Sequence, residues 1–178
     1  VDDGLCGGDS YFQSQVKALE TKFPFGSKKI SAFTFTGIEV SQQPDKSINL
    51  SQSAYVRKIN SIPINPNRKT QPELAVTENE RLALRGLVGS LQYASTNTRP
   101  DLASRLSLLQ SEIPKATVGT LQEGNKLLHE AKRHHDVTIT IRPIPVADFC
   151  FMAFSDASFA SQKKPDSHAG LFIVGRSE

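Results

Sequence analysis

The sequence predicts an α+β fold, and three observations predict it. Alternating, β-branched segments lie near both ends, at residues 32–51 and again between 137 and 174. Between them, apolar residues recur at helical spacing and two of the helix starts carry capping-box patterns. No internal repeat interrupts this order. The chain has 178 residues, room for one ordinary domain or two small ones sharing a core. Hydrophobic residues make up 38% and charged residues 22%, proportions of a globular chain rather than of collagen, disorder or a coiled coil. No apolar run approaches the ~20 residues of a membrane helix, and the first residues show no signal-peptide pattern. Net charge is +3, which permits a polyanionic partner without demanding one. Two cysteines, Cys6 and Cys150, do not make a disulfide framework, so a reducing, intracellular setting is expected.

The first helix is expected over residues 10–23, where Phe12, Val16, Leu19 and Phe23 fall on one face. Asp9 or Ser10 caps it, and Pro24 and Gly26 end it. Residues 32–40 read as one alternating strand with a bulge or close approach at Gly37. A turn at Pro44-Asp45-Lys46-Ser47 returns the chain through Ile48 and Leu50, so residues 32–51 read as a hairpin with unpaired edges. Ser51 opens a short helix to Ile59 or Asn60, and the proline-rich stretch 63–72 reads as irregular.

Thr77-Glu78-Asn79-Glu80 is a capping box before a helix bearing Leu84, Leu87, Val88 and Leu91. Pro100 starts another helix, with Leu102, Leu106 and Leu109 on its face. Thr120-Leu121-Gln122-Glu123 reads as a second capping box, which puts Gly124 in the first turn of the helix carrying Leu127, Leu128 and Ala131. That helix ends in Lys132, Arg133, His134 and His135, where the helix dipole favours cations. Strands follow at Val137 to Ile141, Phe149 to Phe154 and Leu171 to Val174.

Carboxylates are the sharpest chemical feature. Asp2 and Asp3 are adjacent, so on a strand they point to opposite faces; on a hairpin turn one can face a metal while the other supports it. Two-metal phosphoryl transfer needs such oxygen ligands. Taken alone, such a pair more often marks a solvated turn. Asp156, at the end of an apolar strand, can hold a metal at a sheet edge or merely cap the following turn. His129, His134 and His135 lack the i, i+4 spacing of zinc helices, so a solvated or phosphate-facing helix end is expected there. No Ser-His-Asp order, Walker loop or paired Cys site is present.

Taken in order, the blocks Val1-Asp2-Asp3-Gly4-Leu5, Phe35-Thr36-Gly37-Ile38-Glu39-Val40 and Leu50-Ser51-Gln52-Ser53-Ala54-Tyr55-Val56 share a pattern with four more. These are Leu87-Val88-Gly89-Ser90-Leu91-Gln92-Tyr93-Ala94, Thr98-Arg99-Pro100-Asp101-Leu102, the Lys-Leu-Leu helix ending in Lys132-Arg133, and Phe154-Ser155-Asp156-Ala157-Ser158-Phe159-Ala160 followed by Ser167-His168-Ala169-Gly170-Leu171-Phe172. Together they resemble the later half of a copia-type (Ty1/copia) retrotransposon reverse transcriptase running into the start of its ribonuclease H domain, across essentially the whole chain.

The resemblance implies three parts. Residues 1–62 would be the end of a palm with its Asp-Asp turn and primer-grip hairpin. Residues 63–146 would be a helical thumb or connection, and 147–178 the first strands of a ribonuclease H-like sheet. It implies catalytic and metal-binding roles for Asp2, Asp3 and Asp156, with Mg²⁺ or Mn²⁺ as the cofactor. It implies nucleic-acid contacts at Phe35, Gly37, Lys132 and Arg133. Partners would be an RNA/DNA primer–template duplex, a dNTP and the rest of the Pol polyprotein, with no membrane; the setting would be cytoplasmic particles and the nucleus.

The family's palm uses a further Asp upstream of the Asp-Asp turn, and its ribonuclease H site uses later acids. Neither is in this sequence, so the chain is expected to be inactive alone. The family's usual Asp-Trp after the Asp-Ala is Ser158-Phe159 here. The alternative expectation is a non-enzymatic transposon remnant that binds nucleic acid or protein.

Overall fold

A computed structural model of the protein describes residues 4–158 and 168–177. The chain divides into two compact units, Val1–Ile141 and Arg142–Glu178. Helices and small antiparallel sheets make the fold mixed α+β. Val1, Asp2, Asp3, Phe159, Ala160 and Ser167, all named above, lie outside the described residues.

In the first unit, α1 (Ser10–Lys22) starts where Asp9 Oδ1 accepts the Phe12 N–H at 2.9 Å. Its apolar face buries no residue completely. A four-stranded antiparallel sheet follows, in the order β1 (Ala32–Phe35), β2 (Ile38–Gln42), β3 (Ile48–Ser51) and β4 (Ile139–Ile141). The single strand expected over residues 32–40 is in fact two strands. Thr36 and Gly37 take φ of 48° and 83°, the left-handed values of a two-residue hairpin turn, so Gly37 reverses the chain instead of bulging it. Across the turn the apolar positions of one face pass from Phe33 and Phe35 to Ile38 and Val40, a one-residue shift that a bulge would also produce, so periodicity alone does not tell the two apart.

The second reversal is built around Asp45, whose carboxylate accepts from the Ser47 N–H at 3.0 Å and the Ser47 hydroxyl at 2.7 Å. β4 then pairs with β3 (Asn49 opposite Thr140), so the hairpin edge expected to stand open is covered by a strand ninety residues later.

The helical part is α2 (Ser53–Lys58), α3 (Pro66–Lys69), α4 (Glu78–Asn97), α5 (Ala103–Glu112) and α6 (Val118–Arg133). The stretch read as irregular contains α3, one turn with Asn65 as cap and Pro66 at its first position. Within it, Arg68 forks onto Glu80 at 3.0 and 2.8 Å, tying α3 to the start of α4. The capping box at Thr77 and Glu80 forms as its pattern predicts, with bonds of 2.7 and 3.2 Å.

The box expected at Thr120 does not form there. α6 begins at Val118 with Thr117 as its cap, and the Thr120 hydroxyl accepts the Thr117 N–H at 3.2 Å. Thr120 therefore serves as the third residue of a box, not its first, and Gly124 lies in the helix interior. There a Cβ would meet Leu84 Cδ1 and Leu87 Cδ2 at 3.3 Å, so the glycine lets α6 press against α4.

One apolar core joins α2, α4, α5 and α6. Val56, Ile59 and Ile62 pack in the same cluster as Leu84, Leu87, Leu91, Leu102, Leu106, Leu121 and Leu128. Burying a leucine in such a core stabilises by roughly 1.5–3 kcal/mol.

The second unit is a ribbon of β5 (Phe149–Ser158) and β6 (His168–Ser177), antiparallel with Asp156 opposite Gly170. The Phe149 ring covers Gly175, where a Cβ would stand 2.6 Å from it, and meets Phe151 edge-on at 4.9 Å. The register puts Phe151, Ile173 and Leu171 on one face and Phe154, Phe172, Met152 and Val174 on the other. A ribbon apolar on both faces is the pattern of strands within a covered sheet.

Candidate functional site

The acids read as metal ligands come first. Asp2 and Asp3 lie outside the described residues. Asp156 is exposed near the end of β5, and its Oδ1 accepts the N–H of its neighbour Ala157 at 2.9 Å. Among the described residues no three His, Cys, Asp or Glu side chains gather in a way that could hold a metal. Asp156 is thus a single exposed carboxylate, and the described residues add no further acid cluster to it.

The hairpin residues have a definite place. Phe35, half-buried, ends β1 opposite Ile38, and Gly37 occupies the turn itself. That turn meets α4: the Tyr93 hydroxyl donates to the Thr36 carbonyl, and Tyr93 Cε1 lies 4.0 Å from where a Gly37 Cβ would be. That distance is ordinary van der Waals contact, so it is the positive φ of 83° and not the approach of the ring that calls for glycine at this turn.

Lys132 and Arg133 fall on different parts of α6: Lys132 is half-buried and Arg133 exposed. Arg133 lines an open hollow with Lys126, His129, Glu130 and His134, residues at the i, i+3, i+4, i+7 and i+8 positions of one helix stripe. Glu130 pairs with Arg105, and Lys126 with Glu123 at 2.5 Å. The positive surplus of this face rests on Arg133.

Behind that helix end lies a polar junction the sequence reading did not foresee. Arg99 is only 2% exposed. It forks onto Asp101 through Nε at 2.9 Å and Nη2 at 2.7 Å, while Nη1 donates to the carbonyls of Ala131 at 3.1 Å and His134 at 2.9 Å. One buried guanidinium thereby caps the C-terminus of α6, whose last carbonyls have no partner within the helix. Beside it the Thr98 hydroxyl donates to Gln52 Oε1 at 2.9 Å, with both residues buried. Ser53 Oγ meets His135 Nδ1 at 2.8 Å. The start of α2, the end of α4 and the end of α6 are joined here by side chains.

No protein-family model matches the chain. No solved structure matches it significantly either. What the chain does must therefore be argued from its own residues.

Two carboxylates, Asp101 at the junction and Glu80 at the start of α4, are pH-sensitive structural groups. The Arg99 hydrogen bonds hold the Asp101 carboxyl below its usual range against the opposing pull of burial, and the Arg99 charge adds to them. Glu80 is pushed up by burial, but its bonds from Thr77 and Arg68 prevail, so it too lies below the usual range. A carboxyl with a folded pKa below its unfolded one contributes stability at neutral pH and loses it as pH falls through the folded value. Thermal melts should be nearly flat above pH ~5 and fall below pH ~4, where unfolded carboxylates begin to protonate. Asp101→Asn should flatten part of that decline. An unchanged acid limb in the variant would remove Asp101 from this account.

Proposed function

We propose that this chain is the later part of a copia-type retrotransposon reverse transcriptase that continues into the first strands of its ribonuclease H domain. In this reading the parent transfers a nucleotidyl group to a primer 3′-OH with two Mg²⁺ ions. Asp2 and Asp3 provide palm ligands and Asp156 the first ribonuclease H ligand. The β1–β2 hairpin with Phe35 and Gly37 acts as the primer grip, and the helices beyond it follow the duplex.

The observation that carries the reading is the convergence of its blocks. Three that are far apart in sequence, those containing Gln52 and Ser53, Thr98 and Arg99, and the basic end of α6, bond directly to one another at the polar junction. The two-residue turn and the α+β layout are compatible with a palm-to-thumb segment.

The test is primer extension on an RNA template with Mg²⁺, run with this chain and with a longer one carrying polymerase sequence N-terminal to it, each with Asp2→Asn. Extension only by the longer protein, abolished by Asp2→Asn, is the expected result. Silence in both, with salt-sensitive binding to primer–template retained, would favour the second reading, a non-enzymatic remnant that holds nucleic acid. The observation favouring that reading is the basic face of α6 around Arg133 and Lys126, since phosphate contacts position a duplex without chemistry.

A further inference from the structure

The β1–β2 turn is tied to the helices through a chain of aromatic residues. The Tyr93 hydroxyl donates to the Thr36 carbonyl, and the ring stands beside Gly37. Tyr93 meets Tyr55 edge-on, with centroids 5.3 Å apart and planes at 71°. The Tyr55 hydroxyl in turn donates to the Ser90 carbonyl on α4 at 3.1 Å. Turn, ring, ring and helix backbone thus form one continuous support.

The turn needs such support. β1 is the edge strand of its sheet, so the hairpin is held on the β2 side alone. Thr36, a β-branched residue, sits at φ 48°, a left-handed conformation that persists only where its surroundings hold it. Tyr93 grips the carbonyl of that same residue.

We infer that Tyr93 is a positioning residue, which sets where the Thr36–Gly37 turn stands over α4 and so sets the placement of any strand end that the turn touches. The inference deepens the primer-grip reading and rests on it for the identity of the strand, a primer 3′ end. The positioning of the turn itself is independent of that reading.

Tyr93→Phe separates the roles of the residue. It keeps the ring beside Gly37 and Tyr55 and removes only the hydroxyl. Amide exchange at residues 36–38 should accelerate in the variant, while exchange in the core of α4 and the melting midpoint stay near those of the unaltered chain. Affinity for a duplex with a recessed 3′ end should fall about 2- to 10-fold, the scale of one hydrogen bond. Affinity for a blunt duplex of equal length should not change, which a general loss of stability could not reproduce.

Unaltered exchange at residues 36–38 overturns the positioning role whatever the nucleic-acid result. Accelerated exchange with equal affinities for recessed and blunt duplexes in the unaltered chain supports the positioning role and overturns the primer-end assignment. Should Tyr93→Phe lower the melting midpoint, Tyr55→Phe breaks the next link of the support. It must then show the same faster exchange at the turn, or the role is refuted.

Discussion

Arg99→Met is expected to lower the unfolding free energy by about 2–5 kcal/mol, because a buried carbonyl at Ala131, a part-buried one at His134 and a fork partner lose their donor together. The guanidinium is 2% exposed and donates to Ala131, His134 and both oxygens of Asp101. Methionine fills the volume of the stem, so the loss reads the hydrogen bonds more than a cavity. Asp101 is about half exposed and can be rehydrated, which confines most of the cost to the two carbonyls at the end of α6.

Arg99→Lys should fall between the unaltered chain and Arg99→Met, since an ammonium keeps the charge but lacks the planar fork. Chemical denaturation of the three proteins checks the order. A loss under ~0.5 kcal/mol for Arg99→Met, the size of an ordinary surface substitution, would show that the junction is not what holds α6 in place.

The second large effect lies where α4 and α6 touch. Leu84 is completely buried, and Leu84→Ala should cost about 2–5 kcal/mol through lost transfer energy and the cavity left behind. The outcome is coupled to Gly124. In the unaltered chain a Cβ at residue 124 would press on Leu84 Cδ1 and Leu87 Cδ2, both 3.3 Å away. The gain in helix propensity from Gly124→Ala, about 1 kcal/mol, is then offset by crowding.

In the Leu84→Ala background one of the two crowding atoms is gone. Gly124→Ala should there recover up to about 1 kcal/mol, and a double-mutant cycle should return a favourable coupling. Strict additivity of the two changes would mean that the helices adjust freely and that the glycine is not set there by Leu84.

Local signals were readable wherever the physics is local. The stripe of Leu84, Leu87, Val88 and Leu91 and the box at Thr77 and Glu80 were legible because each is complete within a few residues of one helix. The start of α6 was misread for a related reason. Thr117 and Thr120 carry a box with a hydroxyl where Glu or Gln is usual, and Thr120 with Glu123 offered the commoner pattern three residues later. The turn at Thr36 and Gly37 was hidden because a two-residue reversal and a bulge both shift the alternation by one residue, here from Phe33 and Phe35 to Ile38 and Val40.

The candidate site divides along the same line. Asp156, Phe35, Gly37, Lys132 and Arg133 were named from motifs, and a motif carries residue type and order but no partner. A bond between residues three apart leaves a trace in spacing; a bond between Arg99 and Ala131, thirty-two residues apart, leaves none. Arg99 therefore looked like part of a helix start, Gly124 like a weak first turn and Tyr93 like one more residue on α4. Their roles exist only once the chain has brought α2, α4, α6 and the hairpin turn together. Composition and period were enough for the α+β class and most helices, since those depend on which side chains share a face. The junction, the glycine contact and the aromatic support depend on which faces meet, and that is decided by packing across the whole first unit.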